Sequence, residues 1–161
     1  MTLPRAPLAL AGAVVLAAAL IFAAYWETLP PGSVTSPVPS KFTVNGKTFP
    51  ITDTATTNAQ RVRGLMNRTI TNTTIMLFAF PQAGEYSFWM FDTNTSLDMI
   101  WVNSTGIEGR VSYLVTSAPP CFVASSCAKY TPSSPANYVL EAKSGFAESN
   151  GIGVGTVIQF G

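Results

Sequence analysis

The chain has 161 residues, enough for one membrane segment and one domain with a core of its own. Its 9 Lys and Arg against 8 Asp and Glu leave no basic block to neutralise a row of phosphates, so nucleic acid is not expected as a partner. Histidine is absent, which excludes Ser-His and Cys-His nucleophile pairs, the usual general base and the common zinc and copper ligands.

Residues Ala6 to Tyr25 carry no charge over about 20 positions, which matches the ~30 Å hydrocarbon core of a bilayer at 1.5 Å per residue. Arg5 precedes this run, Glu27 follows it, and Tyr25 and Trp26 stand where an interfacial aromatic belt belongs. The pattern predicts a single transmembrane helix with its N-terminus in the cytoplasm. A cleaved signal peptide is the competing reading, but such apolar cores are shorter, and the bulky Tyr25-Trp26 pair makes a poor cleavage site. Residues 1–26 are therefore expected to anchor a single-pass protein in the cell membrane. Residues 27–40, with four prolines, form an extended tether, and residues 41–161 form an extracytoplasmic domain.

In that domain, Lys41 to Ile51 alternates around Asn45-Gly46, the dipeptide suited to a type I′ hairpin turn. Thr57 to Gln60 has the form of a capping box, and RVRGLM after it predicts the rest of one short helix. Ile75 to Phe80, bounded by Thr74 and Pro81, reads as a buried strand. The aromatic stretch Glu85 to Val102 (EYSFWMFDTNTSLDMIWV) predicts a hairpin of Tyr86–Phe91 and Leu97–Val102 across the turn DTNTS. Leu97, Met99 and Trp101 would lie on one face, and Asp98, Ile100 and Val102 on the other. Both faces are largely apolar, which favours a closed or double-layered β structure. Gly106 to Gly109 marks a turn, and Arg110–Ser117, Tyr138–Lys143 and Val154–Phe160 read as further strands. About one helical turn is expected over Gly145–Asn150. The fold class is thus mainly β, barrel-like, with one or two short helices, preceded by the N-terminal transmembrane helix.

Cys121 and Cys127 lie close together in CFVASSC and predict a local disulfide in an oxidising compartment, two free thiols being the alternative. Four Asn-x-Ser/Thr triplets, at Asn67, Asn72, Asn94 and Asn103, suit a glycosylated exterior domain, although Asn and Thr also serve plain turns. DTNTSLD lacks the spacing and glycine of an EF-hand loop, so no metal and no cofactor is expected.

The order RGLMNR (Arg63 to Arg68), IMLFAF, SFWMFDTNTSLDMIWV, PPC…C…Y (Pro119 to Tyr130), YVLE (Tyr138 to Glu141) and GFAESNGIGVGTVIQF resembles the uncharacterised DUF192 family over Lys41 to Gly161. The resemblance implies a compact, mostly β, barrel-like domain, often exported or membrane-linked, with no settled activity. Its repeated residues fall on Gly64, Leu65, Met66 and Arg68, on Phe88, Trp89, Met90 and Thr93, on Leu97 and Asp98, on Cys121 and on Glu141. The family usually has Lys-Asn after the Phe-Trp-Met triplet, where this chain has Phe91 and Asp92.

Three functions fit these residues. A binding module would use a cleft lined by Trp89 and Trp101 with Arg68, Asp92 and Asp98 at its edge, to which the resemblance adds Thr93 and Glu141. Such a cleft would take a sugar or peptide by aromatic contact and directed hydrogen bonds. A structural or accessory subunit of a larger membrane complex, cell-envelope layer or filament would instead use exposed strand edges. A hydrolase would have to pair carboxylates among Asp92, Asp98 and Glu141. Binding is the expected function, with membrane contact through residues 6–25 and protein subunits or a carbohydrate or peptide ligand as partners.

Overall fold

A computed structural model describes residues 37–161, the expected anchor at 6–25 and most of the tether lying outside the described residues. Among the described residues no helix is long and apolar enough to cross a membrane. β1 (Lys41–Val44) and β2 (Lys47–Pro50) form the hairpin expected at Asn45-Gly46, whose φ angles of 48° and 75° are those of a type I′ turn. β3 (Asp53–Ala55) then runs parallel to β4 (Ile75–Gly84).

Between β3 and β4, α1 (Asn58–Arg63) opens on the Thr57/Gln60 capping box, in which each side chain satisfies the other residue's backbone N–H. The helix does not continue through Met66 as expected. Gly64 ends it with a φ of 46°, and a Cβ there would meet the Phe78 ring at 3.3 Å. Leu65 and Met66 consequently leave the helix and fold over the sheet. β4 runs beyond Phe80 through Pro81, because its pairing shifts between Ala79 and Gly84 and leaves room for a residue without an N–H.

The remaining elements are β5 (Phe88–Trp89), β6 (Leu97–Thr105), β7 (Glu108–Ala118), β8 (Lys129–Tyr130), β9 (Ala136–Lys143), α2 (Phe146–Ser149) and β10 (Val157–Phe160). The hairpin expected between Tyr86–Phe91 and Leu97–Val102 does not form. β5 pairs with β8 in a separate ribbon, while β6 lies between β7 and β9 in the main sheet. The chain leaves the direction of β5 at Asp92, whose φ is 51°, and Phe91 and Thr93 both bridge to Cys121. Phe88 to Thr93, the first part of the aromatic stretch, is therefore a cover laid on the sheet, while β6 belongs to the sheet itself.

The main sheet has the order β2-β1-β10-β7-β6-β9-β4-β3. It is mainly antiparallel and forms a curled half-barrel with β2 and β3 as open edges, not a closed barrel. The alternation predicted for β6 holds, and it serves two cores. Leu97, Met99 and Trp101 join Met76, Phe78 and Val139 on one face, covered by Leu65, Ile70 and Met90. Ile100 and Val102 join Ile75, Leu77 and Leu140 on the other, covered by Phe42, Ala147 and Ile158. Each large apolar side chain removed from water in this way contributes roughly 1.5–3 kcal/mol. Gly109, expected in a turn, is a strand residue of β7: a Cβ would come within 2.6 Å of Val102 Cγ1, so only glycine fits.

Candidate functional site

β6 and β9 are neighbours in the centre of the sheet, and each carries one buried carboxyl. Asp98 is 0% exposed and Glu141 is 4% exposed. Period-two alternation sends them to opposite faces, since Asp98 pairs with Ala142 and Glu141 with Met99 across the ladder. Asp98 and Glu141 therefore cannot pair with each other as the hydrolase alternative would require of them.

Their surroundings also differ. Asp98 Oδ1 accepts the Ser117 N–H at 2.9 Å and Oδ2 accepts the Ala147 N–H at 2.9 Å. The first bond holds a bulge in β7, where Ser117 takes a φ of 54° and the register with β6 shifts. The second fixes the start of α2. Asp98 is thus a structural clamp with both oxygens engaged. Glu141 makes no ion pair among the described residues, and burial pushes its pKa up to about 8. Flanked in the ladder by Met76 and Met99, it is an acid held in an apolar row.

Glu141 lines a pocket of about 30 Å³, room for one water-sized group. Phe78 of β4 shares its floor. One wall is the turn after α1, Gly64 to Met66; the other is the aromatic cover, with Phe88, Trp89, Phe91 and Thr93. Trp89 and Phe91 stand 5.3 Å apart, both half-buried, and Phe88 packs edge-on against Phe78 at 4.8 Å. Thr93 is buried and its hydroxyl lies 3.4 Å from the Phe91 carbonyl. Arg61 and Arg63 of α1 reach the same pocket. Arg61 is turned to the carbonyls of Thr56 and Ala79, at 2.9 and 2.6 Å, and stacks over Phe80.

The structure therefore brings together three of the seven candidate binding residues: Trp89, Thr93 and Glu141. Trp101 belongs to the core instead; it is fully buried, and its indole N–H donates to the Tyr86 carbonyl at 2.9 Å. Arg68 pairs with Asp53 of β3 at 2.8 Å. Asp92 serves its turn: its N–H donates to the Cys121 carbonyl at 2.8 Å and its own carbonyl accepts from Asn67 N at 2.8 Å. The left-handed backbone at position 92 suits Asp or Asn, the residue the resemblance leads one to expect there. Phe91, at the position where the resemblance leads one to expect lysine, lines the same pocket as Glu141. Sequence reasoning missed Gly64, Leu65, Met66 and Phe78 as site residues. For the first three the signal was present in RGLM, one of the motifs that carry the resemblance.

Cys121 and Cys127 form the expected disulfide, closing a loop whose Phe122 and Val123 are 63% and 60% exposed. Asn67, Asn72, Asn94 and Asn103 are all exposed. A larger cleft of about 470 Å³ lies between β2, the turn before β4 and α2, lined by Phe49, Ile75 and Phe146 among others. Its size alone does not make it the site: Lys143 is the ionisable residue that lines it, and no buried carboxyl does. Among the described residues, no group of three or more Cys, Asp or Glu could hold a metal ion.

Comparison with known proteins agrees with the fold. The chain is similar to a crystal structure from Sinorhizobium meliloti 1021, described as a candidate transcription regulator, with a TM-score of 0.63 and 26% identity over 78% of this chain and 98% of that one. It is similar to the same degree, TM-score 0.63 and 26% identity, to a protein of unknown function from Novosphingobium aromaticivorans DSM 12444, over 81% of this chain and 93% of that one. No curated protein matches. The family model of DUF192, described as Uncharacterized ACR, COG1430, matches residues 40–160, which is the whole half-barrel with both walls of the pocket. The chain belongs to the DUF192 family.

Proposed function

We propose that residues 41–161 are an outward-facing binding module, carried on a membrane anchor at residues 6–25, and that the pocket over Glu141 receives the ligand. The observation that carries this reading is Glu141 itself. A carboxyl this deeply buried, with no ion pair to it among the described residues, is costly to ionise, and a fold retains such a group most readily where a ligand can use it. The positions that carry the family resemblance support it, because RGLM, the Phe-Trp-Met region and Glu141 come from three separate parts of the chain and meet at one pocket. Trp89 and Phe91 supply apolar contact at its wall, as a sugar or peptide ligand requires.

The disulfide and the four exposed sequons support an oxidising, extracytoplasmic setting. The balanced charge argues for a sugar or protein ligand over nucleic acid, although one structural relative is described as a candidate regulator. The test is calorimetric titration of the full chain in detergent with saccharides, short peptides and small amines. Binding by the native chain that is lost in both Glu141→Gln and Trp89→Ala supports the pocket. Binding that survives both substitutions places the site elsewhere.

A second reading, an accessory subunit of a membrane complex, is favoured by Phe122 and Val123 at the tip of the disulfide loop. Two adjacent exposed apolar side chains on a stapled loop suit a protein contact. Crosslinking in the native membrane that yields only monomer weighs against it.

A further inference from the structure

We infer that the pocket over Glu141 receives a primary ammonium group, from a lysine side chain or a free alkylamine, and holds it as an ion pair with Glu141 inside an aromatic collar. This rests on the pocket being a ligand site and adds the chemistry of the ligand.

The pocket excludes most alternatives by size. A space of about 30 Å³ takes one water-sized group, so a sugar ring or a quaternary ammonium does not reach the carboxyl, whereas an –NH₃⁺ on an unbranched stem does. Its walls are largely aromatic. Phe78, Phe88, Trp89 and Phe91 line it, and aromatic faces carry negative potential that attracts cations. Its floor carries the acid that a cation would pair with, because Glu141 is buried and makes no ion pair among the described residues. An ammonium offers three donors to a carboxylate and a hydroxyl, and Glu141 and Thr93 are the side chains with acceptors in the pocket.

The charge balance is explicit. In the empty pocket Glu141 is protonated at neutral pH, since burial pushes its pKa up to about 8. When R–NH₃⁺ enters, the carboxyl proton leaves to solvent and the carboxylate pairs with the ammonium, with no other group changing state. The ionisable residues facing the pocket from the packed elements are Arg61 and Arg63 of α1; β4, β6 and the aromatic cover present none. Both arginines stay charged over the relevant range and add no pH dependence of their own. Arg61 is held by carbonyl oxygens, and Arg63 is exposed, where solvent screens it.

The experiment is calorimetric titration of the full chain in detergent with propylammonium, propanol, propyltrimethylammonium and Nα-acetyl-lysine methylamide. Measurements run from pH 6 to pH 9 in buffers of different ionisation heat. Both primary ammonium probes should bind, with affinity rising about tenfold per pH unit up to about 8 and then levelling, and with about one proton released per site at pH 7. Propanol and the trimethylammonium probe should bind at least about tenfold more weakly. Glu141→Gln should abolish the pH dependence. Phe91→Lys, which brings an internal ammonium to the same wall, should weaken the probes while leaving the thermal midpoint within a few degrees. Tighter binding of the lysine derivative than of propylammonium assigns the group to a protein partner, and the reverse order assigns it to a free amine.

Equal affinity for propylammonium and propanol, or unchanged ammonium binding in Glu141→Gln, overturns the assignment. If saccharides bind in a Glu141-dependent way and ammonium probes do not, the ligand site stands and the ammonium assignment falls. If nothing tested depends on Glu141, both fall.

Discussion

Replacing Glu141 with glutamine should remove a specific pH dependence from the stability of the domain. The carboxyl titrates near 4.5 when solvated, and burial moves it to about 8 in the folded state. Between those values the unfolded chain has given up the proton and the folded chain still holds it. The folded state is then the one with more protons bound, and stability falls as pH rises. The contribution is fully present below about pH 4.5, declines by about 1.4 kcal/mol per pH unit, and is gone above about 8, a total of roughly 5 kcal/mol. That is a large share of the 5–15 kcal/mol by which domains are usually stable. Glutamine has the same shape and does not ionise. Urea unfolding of residues 37–161 as native chain and Glu141→Gln, from about pH 4.5 to 9, isolates the effect, because other groups cancel in the difference. The variant should gain steadily on the native chain between about pH 5 and 8 and then stay level. A difference that remains constant over that range would show Glu141 to be solvated or paired in the folded protein, and would remove the basis for the pocket.

The other buried carboxyl should behave differently. Asp98→Ala leaves the Ser117 and Ala147 N–H groups without their acceptor and should cost about 3 kcal/mol or more, read as a fall in the urea midpoint. An unchanged midpoint would mean that water replaces both bonds. Replacing Cys121 and Cys127 together by serine should cost about 2–3 kcal/mol, the value for a short loop, measured the same way. A loss near zero would show that the bridges from Cys121 to Phe91 and Thr93 hold without the covalent link.

The regular strands were legible where alternation and turn chemistry agreed. Asn45-Gly46 announces its hairpin through two positive φ angles, and Leu97 to Val102 shows by its two apolar faces that the strand is covered on both sides. Partners were not legible. Phe88-Trp89 has the composition of a strand, but nothing local says that it pairs with Lys129-Tyr130 and not with the next apolar run. The sequence predicts too long a helix because what stops it, the close approach of Gly64 to Phe78, is a tertiary contact. The site was obscured for a related reason. In YVLEAK the glutamate looks like the solvent side of a half-buried strand, and only the central place of β9 between β4 and β6 puts it inside. Asp98, by contrast, drew attention beside a polar turn, and its role could be told only from the two amides it accepts.

The two sides of the pocket belong to different pieces of structure. Its floor, Phe78 and Glu141, is set in the centre of the eight-stranded sheet. Its aromatic wall is outside that sheet, fastened by two residues of β8, by Cys121 and by the bond from Trp101 to the Tyr86 carbonyl. Substitutions at positions such as 89 and 91 can therefore reshape the wall of the pocket without touching the β4–β9–β6 ladder that keeps the acid in place.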